Sequence, residues 1–183
     1  MEWPTHKDDQ PSFSKDPSEA LEEIMTNFGS TVLRTAFFYI GDRFIAEDIS
    51  QEVFLRVYNN WARFRGESSV KTWIIKITIN LCRDRLRKKS PKEEIVDPSQ
   101  MILRFNYNLE DDVLRRINNT EILKHVLSIP THYQEALYLY YYLDLSTTEI
   151  AKIIGRPEGT VRTRLSRARE LLAKEIDRRD GND

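Results

Sequence analysis

The sequence predicts an all-α protein of two small helical domains joined by a flexible linker, the second domain containing a helix-turn-helix. Three observations carry that prediction. Apolar residues recur at three- and four-residue intervals through 18–89 and again near the C-terminus, and no stretch alternates with a period of two. The two helical stretches are separated by 91–112, a mixed-charge segment holding Pro91 and Pro98. A structureless segment of about 20 residues is unusual inside one compact domain, so it reads as a tether between two modules. Finally, Ser146 to Lys174 carries start and stop signals for two helices around a tight turn.

From the N-terminus, residues 1–17 contain Pro4, Pro11 and Pro17 among Asp, Ser and Lys without apolar periodicity, and read as a disordered tail. The first helical domain spans 18–90, with Gly29, Gly41 and Gly66 marking the expected bends. Between Glu47 and Trp61, one face gathers Ile49, Val53, Val57 and Trp61. That leaves Asp48, Gln51, Glu52 and Arg56 toward solvent.

The next helix, Val70 to Lys89, has Ile74, Ile77 and Leu81 as its expected buried stripe. Lys76, Asn80, Arg83 and Arg87 form a polar stripe at i, i+4, i+7 and i+11, so one edge is basic along its length. Trp73 lies beside it, and Phe64, Arg65 and Gly66 form a loop just upstream. Aromatic rings interleaved with cations suit single-stranded DNA, because stacking a base is worth about 1–3 kcal/mol and competes with its stacking in a duplex. The bland alternatives are that Phe64 and Trp73 belong to the core and that Arg83, Arg87, Lys88 and Lys89 are a solvated helix end favoured by the dipole.

The second domain is expected over 113–178, with a short tail at 179–183. Tyr138, Tyr140, Tyr141 and Tyr142 read as packing within the helical core, and His125 and His132 as incidental surface residues. Ser146 and Glu149 have the spacing of a capping box, in which each side chain satisfies a backbone donor left open by the first turn. Small Ala151 permits close helix packing, and Gly155 suits the left-handed conformation that stops a helix. Pro157 fits the first turn of the next helix but not the interior of the last one. There Val161, Leu165, Ala168 and Leu172 make a buried stripe. The opposite side carries Thr163, Ser166, Arg167 and Glu170, flanked by Arg162 and Arg169 on one side and Arg164 on the other. Short hydroxyls framed by guanidinium forks match major-groove reading, where arginine pairs with guanine or phosphate.

Bulk composition narrows the function classes. The 183 residues carry a net charge of -1, but the charges are segregated: 63–89 holds 9 basic against 2 acidic side chains, and 156–179 holds 8 against 4. Local basic clusters set phosphate affinity, so near-neutrality does not exclude DNA. No apolar run approaches the roughly 20 residues that cross a bilayer, and the first residues lack a signal-peptide pattern, so a cytoplasmic location is expected. A single cysteine, Cys82, forms no internal disulfide framework and reads as a small core or flank residue. No metal-ligand spacing is present and no cofactor is expected. A metal-dependent nuclease would need carboxylates converging with Asp48 and Glu52, and no third ligand presents itself, so an enzyme is not expected.

These residues together resemble the extracytoplasmic-function group of bacterial sigma factors over about 18–178. AEDISQEVFLRVY (46–58), FRG (64–66), TW (72–73) and NLCRDRLRK (80–88) resemble the group's first module, and 127–172 resembles its terminal domain nearly end to end. Val70 and Thr78 depart from it, standing where the family often has a larger residue and an alanine respectively. The resemblance implies core RNA polymerase and promoter DNA as partners, with an anti-sigma protein, often membrane-anchored, as regulator. It implies that Asp48, Gln51 and Glu52 dock on the polymerase, and that Phe64 to Lys71, with Phe64, Arg65, Gly66 and Lys71 as the residues singled out, line the pocket for an extruded base of the minus-ten element. Trp73, Lys76, Asn80, Arg83 and Arg87 would follow the DNA path, and Thr160, Arg162, Thr163, Ser166 and Arg167 would contact the minus-thirty-five element. The competing reading is a helix-turn-helix regulator that binds duplex DNA without being a polymerase subunit.

Overall fold

A computed structural model describes residues 13–89, 125–126 and 128–180 of the chain, which divides into two compact units, Met1–Pro91 and Lys92–Asp183. The tail before residue 13, the linker 91–112 and the expected start of the second domain at 113 lie outside the described residues.

In the first unit, helix α1 covers Pro17–Ile40. Asp16 starts it by accepting hydrogen bonds from the backbone N–H groups of Ser18 (2.9 Å) and Glu19 (3.1 Å), and Pro17 occupies a position that needs no donor. Thus the end of the predicted tail is an ordered cap. Gly41 ends the helix with φ 70°, its N–H donating to Phe37. Gly29, expected at a bend, lies within the helix, because packing of the flanking turns outweighs its small propensity cost. Helix α2, Arg43–Asn60, is capped by Asp42 and runs into a single 3₁₀ turn, Trp61–Arg63.

Helix α3, Val70–Lys89, begins where the Ser69 hydroxyl and carbonyl accept from the backbone N–H groups of Thr72 and Trp73. Its buried side is wider than expected. Ile74 and Leu81 are buried, Ile77 is only half-buried, and Ile75, Thr78, Ile79 and Cys82 are buried as well. The reason is that α3 packs against both α1 and α2, which covers two adjacent stripes instead of one. Thr78 fits this core by returning its hydroxyl to the Ile74 carbonyl at 2.9 Å. Burial raises the Cys82 thiol to about 12, so it stays protonated.

In the second unit, α4 spans Thr131–Leu137 and continues as a π-helical turn, Tyr138–Tyr142, closed by the Leu143 N–H donating to the Tyr138 carbonyl at 3.1 Å. This turn corrects the expectation for the tyrosines. The extra residue per turn keeps Tyr138 buried, leaves Tyr140 and Tyr142 half-buried, and puts Tyr141 out at 61% exposure. His125, read as a surface residue, is buried.

Helix α5, Thr147–Ile154, and helix α6, Glu158–Asp180, complete the unit. Its core gathers Ala136, Leu139, Leu145, Ile150, Ile153, Val161, Leu165 and Ala168. Leu172, at the end of the predicted stripe, is half-buried. Helix α6 also takes in residues 179–180 of the predicted C-terminal tail.

Candidate nucleic-acid and protein interfaces

The turn between α5 and α6 is fixed by local chemistry. Ser146 and Glu149 form the full capping box: the Ser146 hydroxyl accepts from the Glu149 N–H at 3.3 Å, and the Glu149 carboxylate accepts from the Ser146 N–H at 3.0 Å. Gly155 takes φ 66° and donates to the Ala151 carbonyl. Pro157 stands immediately before α6, its carbonyl receiving the N–H groups of Thr160 and Val161.

Side chains then join the helices. Glu158 Oε1 accepts from Thr147 Oγ1 at 2.6 Å, crossing from α6 to the first residue of α5, and from Arg162 at 2.7 Å. The Thr147 hydrogen bond first, and then Arg162, hold the Glu158 carboxyl below its ordinary value. On the inner side, Arg164 reaches Glu135 of α4 at 3.7 Å, with both side chains largely covered. The α6 axis is therefore set against both neighbouring helices of its own unit.

The predicted reading surface is on the outside of α6. Arg162, Thr163, Ser166 and Arg167 are exposed, and Thr160 is half-buried. Thr163 returns its hydroxyl to Gly159, while Arg167 pairs with Glu170 at 3.0 Å. Pairs this exposed are worth at most about 1 kcal/mol and yield readily to a phosphate or a base. Arg169 is held differently, donating to Tyr141 Oη at 3.0 Å with its guanidinium 5.8 Å from the ring centroid.

Beside Thr160 and Thr163 an open recess of about 430 Å³ is also lined by His132, Tyr133, Gly159 and Arg164. His132 is exposed, as read from the sequence, and tertiary packing of α4 on α6, not spacing, brings it and Tyr133 to this recess. Partial burial first, and then the nearby Arg164, shift the His132 imidazole toward its neutral form, against an opposing pull from Glu135.

In the first unit, the basic stripe of α3 is on the surface: Lys76, Asn80 and Arg87 are exposed and Arg83 is half-buried. Arg87 pairs with Asp84 one turn back. Lys71 and Trp73 are half-buried at the start of the helix. The loop 64–69 turns at Gly66, where φ is 70°.

Phe64 is neither core nor free. It stacks on Trp61 at 5.6 Å and 12° and lies 4.8 Å from Trp73, with Trp61 and Trp73 6.2 Å apart. All three rings are half-buried. They form a half-buried aromatic cluster beside the exposed cation Arg65, lying between the core and the surface alternatives for these aromatics.

On α2, Asp48, Gln51 and Glu52 are exposed, as their face of the helix requires. The sequence reading missed their apolar neighbours Phe44, Leu55 and Tyr58, which are 79%, 58% and 44% exposed. The signal was available, because positions 44, 48, 51, 55 and 58 follow the i, i+4, i+7, i+11, i+14 spacing of one stripe. Exposed large apolar side chains in line with acidic groups give this face an apolar stripe unusual for a solvated helix surface. Among the described residues, no group of three or more His, Cys, Asp or Glu side chains is placed to hold a metal ion, and no helix is long and apolar enough to cross a membrane.

Residues 24–91 match the family description Sigma-70 region 2, and residues 120–172 match Sigma-70, region 4. The ECF RNA polymerase sigma factor SigW of Bacillus subtilis is 31% identical over 172 residues, covering 88% of this chain and 91% of that protein. SigM of the same organism is 30% identical over 164 residues, covering 89% of this chain and 98% of SigM. Among solved structures, RpoE of Bartonella quintana in complex with the anti-sigma factor NepR aligns with a TM-score of 0.61 at 18% identity, covering 85% of this chain and 96% of that one. CnrH in complex with the cytosolic domain of CnrY aligns with a TM-score of 0.60 at 17% identity, covering 90% and 98%. At those identities the structural likeness speaks for the all-helical fold.

Proposed function

The chain belongs to the sigma-70 family of RNA polymerase sigma factors, in its extracytoplasmic-function group, and we propose that it joins core RNA polymerase and directs initiation at a dedicated set of promoters. The observation that carries this reading is the placement of the two matched regions, each falling on a separate unit that offers its own exposed basic helix face. Either face alone binds DNA weakly. Held by the polymerase at a set separation, two weak contacts become one bivalent event, and linkage of that kind raises avidity by about a hundredfold or more.

The roles divide by chemistry. In this reading the first domain covers 18–90 and the second 113–178, with 91–112 as the tether between them. Asp48, Gln51 and Glu52, flanked by Phe44, Leu55 and Tyr58, dock on the polymerase. Phe64, Arg65, Gly66 and Lys71 accept a base leaving the minus-ten duplex, while Trp73, Lys76, Asn80, Arg83 and Arg87 follow the strand. Thr160, Arg162, Thr163, Ser166 and Arg167 read the minus-thirty-five element in the major groove. No covalent chemistry falls to this chain, since RNA synthesis stays with the polymerase. The structural neighbour RpoE is bound to the anti-sigma factor NepR, which supports a protein regulator here, and the chain works in the cytoplasm where the polymerase is.

Reconstitution tests this. Purified core polymerase with the chain added should yield specific transcripts from genomic fragments of the source organism, and mapping their start points should return a shared pair of upstream elements. Asp48→Lys should weaken association with core polymerase at least severalfold without changing helix content by circular dichroism. No association of the unaltered chain with core polymerase, and no new transcripts, would leave only a regulator that binds duplex DNA by itself.

A further inference from the structure

We propose that Phe13 and Ser14 form a strap that fixes Trp61, and through it Phe64 and the loop 64–69, in the position needed to hold an unpaired base; this rests on the minus-ten role proposed above. The loop has little backbone structure of its own. Phe64 N–H bonds to the Trp61 carbonyl at 3.0 Å, Gly66 turns the chain at φ 70°, and Ser69 begins α3. Its conformation therefore depends on where the aromatic rings at its base are anchored.

Trp61 is the central anchor, because Phe64 stacks flat upon it. Yet Trp61 sits in a 3₁₀ turn three residues long and is only half-buried. What fixes it comes from 47 residues earlier in the chain: its indole Nε1–H donates to the Ser14 carbonyl at 3.0 Å. Phe13 meets the same indole edge-on at 6.1 Å and 85°, and is itself placed by Phe28 of α1 at 6.2 Å. Ser14 is tied in turn to the α1 start, its hydroxyl donating to Glu19 at 2.7 Å and accepting from the Asp16 N–H at 3.1 Å. One rigid path leads from the α1 cap through Phe13 and Ser14 to Trp61 and Phe64.

Phe13 and Ser14 touch no DNA in this scheme and are positioning residues. The test uses polymerase reconstituted with the full chain and two probes cut from a promoter recovered by transcript mapping: the single-stranded minus-ten oligonucleotide and the duplex upstream element. Phe13→Ala should lower affinity for the oligonucleotide roughly two- to tenfold, the range that loss of aromatic packing supports. Core association and binding of the upstream duplex should be unchanged, and Phe13→Tyr should restore the oligonucleotide affinity. Trp61→Phe keeps a ring but removes the bond to Ser14; it should show a smaller loss, and it decides the matter if Phe13→Ala does not fold. Unchanged oligonucleotide affinity in the variants, or a fall in step with core association, overturns the strap. A wild-type chain that neither joins the polymerase nor starts transcripts overturns the functional reading instead.

Discussion

The two units hold the surfaces proposed to face DNA by different means. In the second, hydrogen bonds and ion pairs fix α6: the capping box at Ser146, the left-handed Gly155, the Thr147–Glu158–Arg162 network and the Arg164–Glu135 pair. In the first, the loop 64–69 is held mainly by rings, with Phe64 against Trp61 and Trp73 and Phe13 against Trp61, beside a single hydrogen bond from the Trp61 indole to the Ser14 carbonyl. The difference follows from the two targets proposed for them. A duplex groove has a regular shape, so a helix locked at a fixed angle reads it with exposed polar groups. A base taken out of its stack needs an apolar or aromatic surface to replace the lost stacking, and packing against neighbouring rings can hold such a surface in place.

If the units are separately stable, damage to one core should spare the other. Leu165 is fully buried in the second unit and Ile74 in the first. Truncating either to alanine should cost its own unit about 2–5 kcal/mol. Cys82, buried in the first unit with its thiol raised to about 12, reports which unit has opened, because only its exposure and ionisation allow reaction with a thiol reagent. Leu165→Ala should lower the helical signal on denaturation while Cys82 stays slow to react, and Ile74→Ala should speed that reaction. Equal acceleration by both variants would mean that the units unfold together.

The next effect in size separates reading from clamping on α6. Arg167→Ala should weaken use of the upstream element by about 1–3 kcal/mol if the guanidinium pairs with a base, and leave core association intact. Comparing initiation on a set of upstream-element variants checks it. A uniform loss across the set would move Arg167 to the phosphate contacts, and the second unit would then owe its selectivity to Thr160, Thr163 and Ser166.

The same contrast explains what was legible in the sequence. Local chemistry is written locally: Ser146 with Glu149, Gly155 and Pro157 announce their turn, and the structure places them as their spacing requires. Likewise Ile49, Val53 and Val57 turn inward while Asp48, Gln51 and Glu52 face out. What escaped depends on partners distant in the chain. Phe13 looked like tail because its role is set by Trp61 and Phe28. The expected α3 stripe of Ile74, Ile77 and Leu81 left out Ile75 and Ile79, which are buried because two helices, not one, cover α3. Tyr141 looked like core because helical spacing cannot anticipate a π turn that rotates it outward. No spacing rule brings His132 and Tyr133 of α4 beside Thr160 and Thr163.

The smallest expected effect tests whether the second unit's surface is held electrostatically at all. Glu158 accepts from Thr147 and Arg162, which depresses its carboxyl below the ordinary 4.5. A depressed carboxylate adds stability that is fully present above the unfolded value and is lost as pH falls through the folded one. Glu158→Gln keeps the shape and a carbonyl acceptor for Thr147 but removes the charge. The denaturation midpoint of the second unit should therefore differ between wild type and Glu158→Gln by a small, constant amount from neutral pH down to about 4.5, and the gap should close in more acidic buffer. Because Glu158 is only partly covered and its partner Arg162 is exposed, added salt should narrow the gap at neutral pH as well. A gap that persists in acid and ignores salt would show that hydrogen-bond geometry alone ties α5 to α6.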